Sequence, residues 1–262
     1  MKKGISSIIS LLLILAFGVL SIRLFVVVVP QKAQKLDTEK GLKYIASLES
    51  IDGNAAENIV RKAQDQYAGT AARKKILEAV KKKNYRYAFK DIVISGDSIV
   101  KAIWEYDILD ASQVMAEIGG GTAYLKKISK SIIAANPKYL VLHYGENQLS
   151  TKQQAESFAK EYGKCVAYLK KNLPKTEIYV DSIFPVKEFA YKSDSYLRNI
   201  DYYNTYIEKM AKQVGVHYID FTPLWASYKK NYYDADGIHP LRSYYTEQYL
   251  PQILMEVGYK ID

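Results

Sequence analysis

The chain has 262 residues, of which 48% are hydrophobic, so it can bury one substantial core. Its single cysteine, Cys165, excludes an intrachain disulfide. Its three histidines lack the spacing to cysteines or carboxylates that zinc and iron sites use, so we expect no metal and no cofactor. The formal net charge of +9 is concentrated in residues 1–35, which hold five basic and no acidic residues, and in residues 61–90. Because the charge is local, we expect no nucleic-acid partner.

The first predicted element is a membrane-spanning segment within residues 1–35. Residues 5–29 are almost wholly apolar, interrupted only by Arg23, and are long enough to cross a bilayer. A buried core helix is the weaker interpretation. No small-x-small cleavage site follows, so we favour a retained signal anchor over a removed signal peptide, which would leave a secreted protein. Lys2 and Lys3 favour a cytoplasmic N-terminus, which places the rest of the chain outside the cell membrane.

Residues 36–89 are predicted to form a basic, helical, membrane-proximal stalk or lid. Ile45, Leu48 and Ile51 recur at helical spacing. The basic stretch 61–90 holds ten basic residues against two acidic ones. A solvated helical face is the simpler explanation of this charge. Attraction to anionic lipid or to a wall polymer is the alternative.

The remaining residues, 90–262, alternate short β-like runs with helical segments. This alternation predicts an α/β fold, a parallel sheet with helices on both faces. Five strands are expected, at residues 91–95, 113–118, 139–144, 177–183 and 216–220. In such sheets ligand sites form beyond the carboxyl ends of the strands. The polar candidates described next all follow strand ends, so we expect them at one edge of the sheet.

Three of these candidates supply the groups of a serine hydrolase. A serine hydroxyl becomes a nucleophile when an imidazole removes its proton, and a carboxylate fixes the tautomer of that imidazole. Ser98, His239 and Asp236 can fill these roles. Asp234 is an alternative acid. His143, inside an apolar run, is expected to be a hydrogen-bonded core or supporting residue and not a metal ligand.

Attack on a carbonyl produces an oxyanion, which needs preorganised hydrogen-bond donors. The backbone N–H of Ser98, that of a glycine in 119–121 and the side-chain amide of Asn147 are candidates, each worth on the order of 3 kcal/mol. Glu146 places a carboxyl group beside these donors, where it either binds a sugar hydroxyl or faces solvent. The 24 tyrosines either stack on sugar rings or pack on the amphipathic surface.

The order of these motifs resembles the SGNH hydrolase family, also called GDSL esterases, over about residues 90–260. The Gly-Asp-Ser motif of that family is met by residues 96–98, and its Asp-x-x-His motif by Asp236 and His239. The resemblance implies that Ser98 is the nucleophile and that the sheet is a three-layer, doubly wound one with strands in the order 2-1-3-4-5.

Two further motifs of the family match less completely. Alignment on Thr122 points to Gly120 as the glycine of the oxyanion hole, with Gly119 or Gly121 as alternatives. The Gly-x-Asn-Asp motif is met at residues 145–147, which retains Asn147 as the amide donor, but Gln148 replaces the final Asp.

From the residues and the resemblance together we expect a membrane-anchored, exterior-facing serine esterase. It would cleave a small O-acyl ester through a Ser98 acyl-enzyme, with acetyl groups on a cell-envelope or environmental glycan as the favoured substrate. One alternative is an O-acetyltransferase that passes the acyl group from the same serine to an envelope polysaccharide. A second is a non-catalytic glycan-binding protein built on this fold.

Overall fold

The structure, a computed structural model, describes residues 73–82, 84–226 and 231–259. These residues belong to one compact unit, Gln66–Asp262. The predicted anchor and most of the predicted stalk lie outside the described residues. Across the ranges that are described, no helix combines the length and apolar character needed to span a membrane.

A sheet of five parallel strands forms the middle layer. The strands are β1 Ile92–Gly96, β2 Val114–Ala116, β3 Tyr139–His143, β4 Glu177–Asp181 and β5 His217–Ile219. They pair in the order β2-β1-β3-β4-β5, and every pairing is parallel. The predicted strand number, direction and order are confirmed. Four strands are shorter than predicted, β3 and β4 at their carboxyl ends and β2 and β5 at both ends, and β1 begins and ends one residue later than predicted.

Helices cover both faces of this sheet. They are α1 at residues 73–82, α2 Tyr85–Ala88, α3 Ser98–Glu105, α4 Thr122–Ala135, α5 Ala155–Asn172, α6 Ile200–Val214, α7 Thr222–Ala226, α8 Arg242–Tyr244 and α9 Leu250–Glu256. A π-helical segment, Tyr245–Tyr249, joins α8 to α9. The three-layer, doubly wound fold is therefore as predicted.

Successive strand residues feed two separate cores, because side chains alternate across a sheet. Ile92 and Ile94 of β1 pack into one cluster with α3 and the C-terminal helices. Val93 packs into the other cluster, with α4, α5 and α6. Strands that are buried on both faces read as continuous apolar runs, which is how the sequence of β1 appears.

Helix α1 lies in the sequence region predicted to be a stalk or lid. Its Ile76 and Val80 are buried in the same cluster as the C-terminal helices. Arg73 donates hydrogen bonds to the side chains of Gln248 and Gln252. The described end of the basic stretch thus packs on the carboxyl-terminal part of the chain.

Candidate active site

Ser98 is held at the point where β1 passes into α3. Asp97 caps the helix, because its Oδ1 accepts the N–H of Ile99 at 3.0 Å. Gly96 allows the turn from β1 into α3 to pack closely, since a Cβ at this position would lie 2.4 Å from a Val100 side-chain carbon and 2.7 Å from the His143 carbonyl oxygen. Ser98 therefore stands as the first residue of the helix, at the carboxyl edge of the sheet.

The loop after β5 holds the candidate base and acid. Asp236 Oδ1 accepts the N–H groups of Ile238 at 2.8 Å and His239 at 3.0 Å, and its Oδ2 lies 2.6 Å from His239 Nδ1. Partial burial raises the pKa of Asp236, but the hydrogen bonds from His239 and Ile238 outweigh burial and lower it overall. An ionised Asp236 then fixes the imidazole with its proton on Nδ1.

The structure brings the three predicted residues together. Ser98 Oγ lies 3.0 Å from His239 Nε2. Because Nδ1–H donates to Asp236, Nε2 is free to accept the serine proton. The alternative acid, Asp234, is not bonded to the imidazole, because Asp236 and Ser98 are the partners of its two ring nitrogens. Asp236 is thus the acid of this arrangement.

The candidate oxyanion donors meet beside Ser98. Asn147 Nδ2 donates to Asp97 Oδ2 at 3.1 Å and to the Gly120 carbonyl at 3.3 Å. The Gly120 N–H donates to Glu117 O at 2.9 Å and closes a turn. Gly120 is therefore next to Asn147, but its N–H is engaged within the turn. The Ser98 N–H opens α3, where the first N–H groups have no intrahelical acceptor.

Gln148, which departs from the family motif, caps a neighbouring helix. Its Oε1 accepts the N–H of Thr122 at 2.7 Å, and its Nε2 donates to Thr122 Oγ1 at 3.0 Å. A Cβ on Gly121 would lie 2.6 Å from Gln148 Oε1, so glycine is needed for this approach. The longer side chain thus ties the loop after β3 to the start of α4.

A buried polar network lies beneath these groups. His143 Nδ1 is 2.9 Å from Asp181 Oδ1, and the hydroxyl of Tyr249 donates to Asp181 Oδ2 at 2.8 Å. Burial alone would lower the pKa of His143, but the charge and hydrogen bond of Asp181, together with the charge of Asp97, raise it to about 9. Sequence reasoning missed Asp181 and Tyr249. The sequence signal that could have indicated Asp181 is that it ends a strand next to the strand that ends in His143.

Glu146 is a half-buried carboxyl group between the β3 end and Asn147. Its Oε2 is shielded from solvent and has no hydrogen-bond partner among the described residues. Burial, reinforced by the charge of Asp97, raises the pKa of Glu146 to about 7. Over the residues that the structure describes, no group of three histidine, cysteine or acidic side chains is placed to hold a metal ion.

Comparison of the sequence with models of known protein families finds a match. The model of the GDSL-like lipase/acylhydrolase family matches residues 95–245, more than half of the chain. The matched range includes Ser98, Asn147, Asp236 and His239. No curated protein sequence matches the chain significantly.

Solved structures share the fold. A GDSL-like lipase from Parabacteroides merdae aligns at a TM-score of 0.50 and 18% identity, over 65% of this chain and 97% of that chain. A Streptococcus pneumonia protein described as a platelet activating factor aligns at a TM-score of 0.51 and 19% identity, over 77% of this chain and 99% of that chain. An acylhydrolase from Bacteroides fragilis aligns at a TM-score of 0.50 and 14% identity, over 64% of this chain and 88% of that chain. At such identities the likeness concerns the fold alone.

Proposed function

This chain belongs to the GDSL-like lipase/acylhydrolase family, and we propose that it is a serine esterase that cleaves a small O-acyl ester through an acyl-enzyme on Ser98. The observation that carries the proposal is the 3.0 Å contact between Ser98 Oγ and His239 Nε2, with Asp236 on the other ring nitrogen. Family membership supports hydrolysis, and this contact supports Ser98 as the group that takes up the acyl chain.

In the proposed reaction His239 Nε2 takes the Ser98 proton as Oγ attacks the ester carbonyl. The N–H of Ser98 and the amide of Asn147 hold the resulting oxyanion, once Asn147 turns one N–H from the Gly120 carbonyl to the substrate. The tetrahedral adduct collapses, the C–O bond to the alcohol breaks, and His239 returns the proton to the leaving oxygen. Water, deprotonated by His239, then releases the acid and regenerates Ser98.

The openness of the site favours a large alcohol and a short acyl group. His239 and Asp236 leave 42% and 45% of their side-chain surfaces exposed. An edge this open admits one unit of a polymer, whereas a long acyl chain would need a channel to bury it. We therefore propose acetyl on a cell-envelope or environmental glycan as the substrate. We also propose that the apolar residues 5–29 anchor the enzyme in the cell membrane, with the catalytic domain outside.

The test measures acetate release from p-nitrophenyl acetate and from an acetylated oligosaccharide by the full-length chain in detergent. We expect Ser98→Ala and His239→Ala to lower kcat/KM by at least about 10³-fold, and Asp236→Asn by about 10²- to 10⁴-fold, because the imidazole loses its tautomer. Asp234→Asn is the matched control and should retain activity within about threefold, since Asp234 does not reach the imidazole.

Equal rates in the parent and Ser98→Ala would contradict the proposed esterase. Addition of an unacetylated glycan acceptor separates hydrolysis from transfer, because a transferase would move the acetyl group onto the acceptor and release little acetate. If Asp234→Asn failed and Asp236→Asn did not, the assignment of the acid would be wrong.

A further inference from the structure

Phe189 is an exposed aromatic side chain close to the candidate catalytic loop. It lies in a short 3-10 helix, Glu188–Lys192, which follows β4. Its exposed fraction is 51%, whereas most aromatic rings of the C-terminal helices are fully buried. Exposure alone carries no function. The placement of the ring is what distinguishes Phe189.

The ring rests on the backbone of the loop that carries His239. A Cβ added to Gly237 would lie 2.6 Å from Phe189 Cζ and 2.8 Å from its Cε2. The Lys187 N–H donates to the Gly237 carbonyl at 2.8 Å, which joins the two loops. Gly237 also has φ of +72°, so both space and conformation require glycine there. Phe189 is thus held against Gly237, which lies two residues before His239 in the chain.

The chemistry places the alcohol of the ester on this side of the site. The leaving oxygen takes its proton from His239 Nε2, so the leaving group must lie within hydrogen-bond reach of that nitrogen. The oxyanion is expected towards the amide of Asn147, which contacts the turn that contains Gly120. A group that recognises the alcohol is therefore expected near the loop that carries His239, and the exposed ring of Phe189 lies against that loop at Gly237.

We propose that Phe189 is the platform on which the ring of the leaving group packs, and that this ring is a pyranose. The inference rests on the esterase function proposed above. A pyranose presents an apolar face of C–H groups, which can pack on an aromatic ring, and a rim of hydroxyl groups. The side chains of Lys187 and Glu188, which are exposed next to Phe189, supply charged partners for such a rim. Phe189 is then a residue that determines specificity.

The experiment compares glucose pentaacetate, phenyl acetate and ethyl acetate as substrates of the full-length chain. The readout is the ratio of kcat/KM for each ring-bearing ester to kcat/KM for ethyl acetate. We expect Phe189→Ala and Phe189→Leu to lower the glucose pentaacetate ratio about tenfold, mainly through KM, since one ring-face contact is lost. Phe189→Leu keeps an apolar side chain on Gly237, so it tests the flat ring in a folded protein. Phe189→Tyr should preserve the ratio.

Tyr168→Ala is the matched control, because Tyr168 is comparably exposed but lies on α5. The ratio of kcat/KM for glucose pentaacetate to kcat/KM for ethyl acetate should be the same in Tyr168→Ala as in the parent. An unchanged ratio in Phe189→Leu would overturn the platform while leaving the esterase intact. A ratio that falls for phenyl acetate alone would overturn the pyranose assignment. If no ester is cleaved in a Ser98-dependent manner, the esterase and the platform both fail.

Discussion

The carboxyl group of Glu146 is the least satisfied polar group beside the candidate triad. Its Oε2 is buried without a hydrogen-bond partner among the described residues, and its pKa is raised to about 7. Asp97 and Asp236 oppose its ionisation, whereas His143 and His239 favour it. Between the ordinary pKa of glutamate, about 4.3, and a pH of about 7, the folded protein therefore keeps a proton on Glu146 that the unfolded chain has released.

We predict that Glu146→Gln stabilises the protein increasingly as the pH rises. Below the ordinary pKa of glutamate, both the folded and unfolded states carry the proton and Glu146 contributes no pH dependence. Between that value and about 7, only the folded state is protonated, so stability falls with rising pH. The variant cannot ionise and should gain about 1 to 3 kcal/mol over the parent between pH 5 and pH 8.

Urea unfolding of both proteins at pH 5 and pH 8 measures this difference. The comparison between the two pH values removes any constant cost of placing an amide at position 146. A gap between parent and variant that is independent of pH would show that Glu146 ionises normally in the folded protein.

The geometry of the candidate site could be predicted from sequence to the extent that it depends on local motifs. Ser98, Asp236 and His239 were placed because strand ends share one edge and because Asp236 lies three residues from His239, within reach of its imidazole. The orientation of Gly120 could not be predicted. It depends on the turn bond to Glu117 and on the amide of Asn147, a contact across 27 residues.

Strands β3 and β4 end in a buried ion pair that also holds the C-terminal helices. His143 ends β3, Asp181 ends β4, and Tyr249 donates to Asp181 from the π-helical segment. These partners lie 38 and 68 residues apart in the chain, so no local pattern announces them. The alternation of elements predicted a parallel sheet, whereas the order of its strands was expected only from the family resemblance.

We predict that His143→Gln destabilises the protein by about 3 to 5 kcal/mol, because it leaves the carboxylate of Asp181 buried without its charged partner. Tyr249→Phe is the milder comparison and should cost about 1 kcal/mol, the value of one hydrogen bond. Calorimetry of the three proteins at pH 6 provides the measurement. Equal losses in the two variants would mean that the pair is not ionised.

The same pair sets a pH dependence in the alkaline range. The pKa of His143 is raised from 6.5 to about 9 in the folded protein. Its contribution to stability is therefore complete below 6.5 and is lost as the pH rises towards 9. The parent should lose stability over this range more steeply than His143→Gln does, since the variant has no imidazole to titrate.

Basic residues and long apolar runs are distributed unevenly along the sequence of the whole chain. The described residues form one unit with two cores, and their α1 helix packs on the C-terminal helices. The long apolar run 5–29 precedes this unit in the sequence, whereas eight of the ten basic residues of the stretch 61–90 fall within its range. An apolar anchor and a basic surface would bind a membrane by different forces, which salt can separate.

We predict that the full-length chain, expressed in bacteria, stays in the membrane pellet after washing with 1 M salt and with alkaline carbonate. Salt screens attraction between the basic residues 61–90 and anionic lipid, whereas it does not release an apolar helix.

Replacement of Phe17 and Leu20 by Asp should move the protein to the soluble fraction, because each acid costs about 3 kcal/mol at the centre of a spanning helix. Phe17→Leu with Leu20→Ile is the matched control and should pellet. Release of the parent by salt alone would point to the basic residues as the only attachment, and an intact mass that lacks residues 1–29 would show a cleaved signal peptide in place of an anchor.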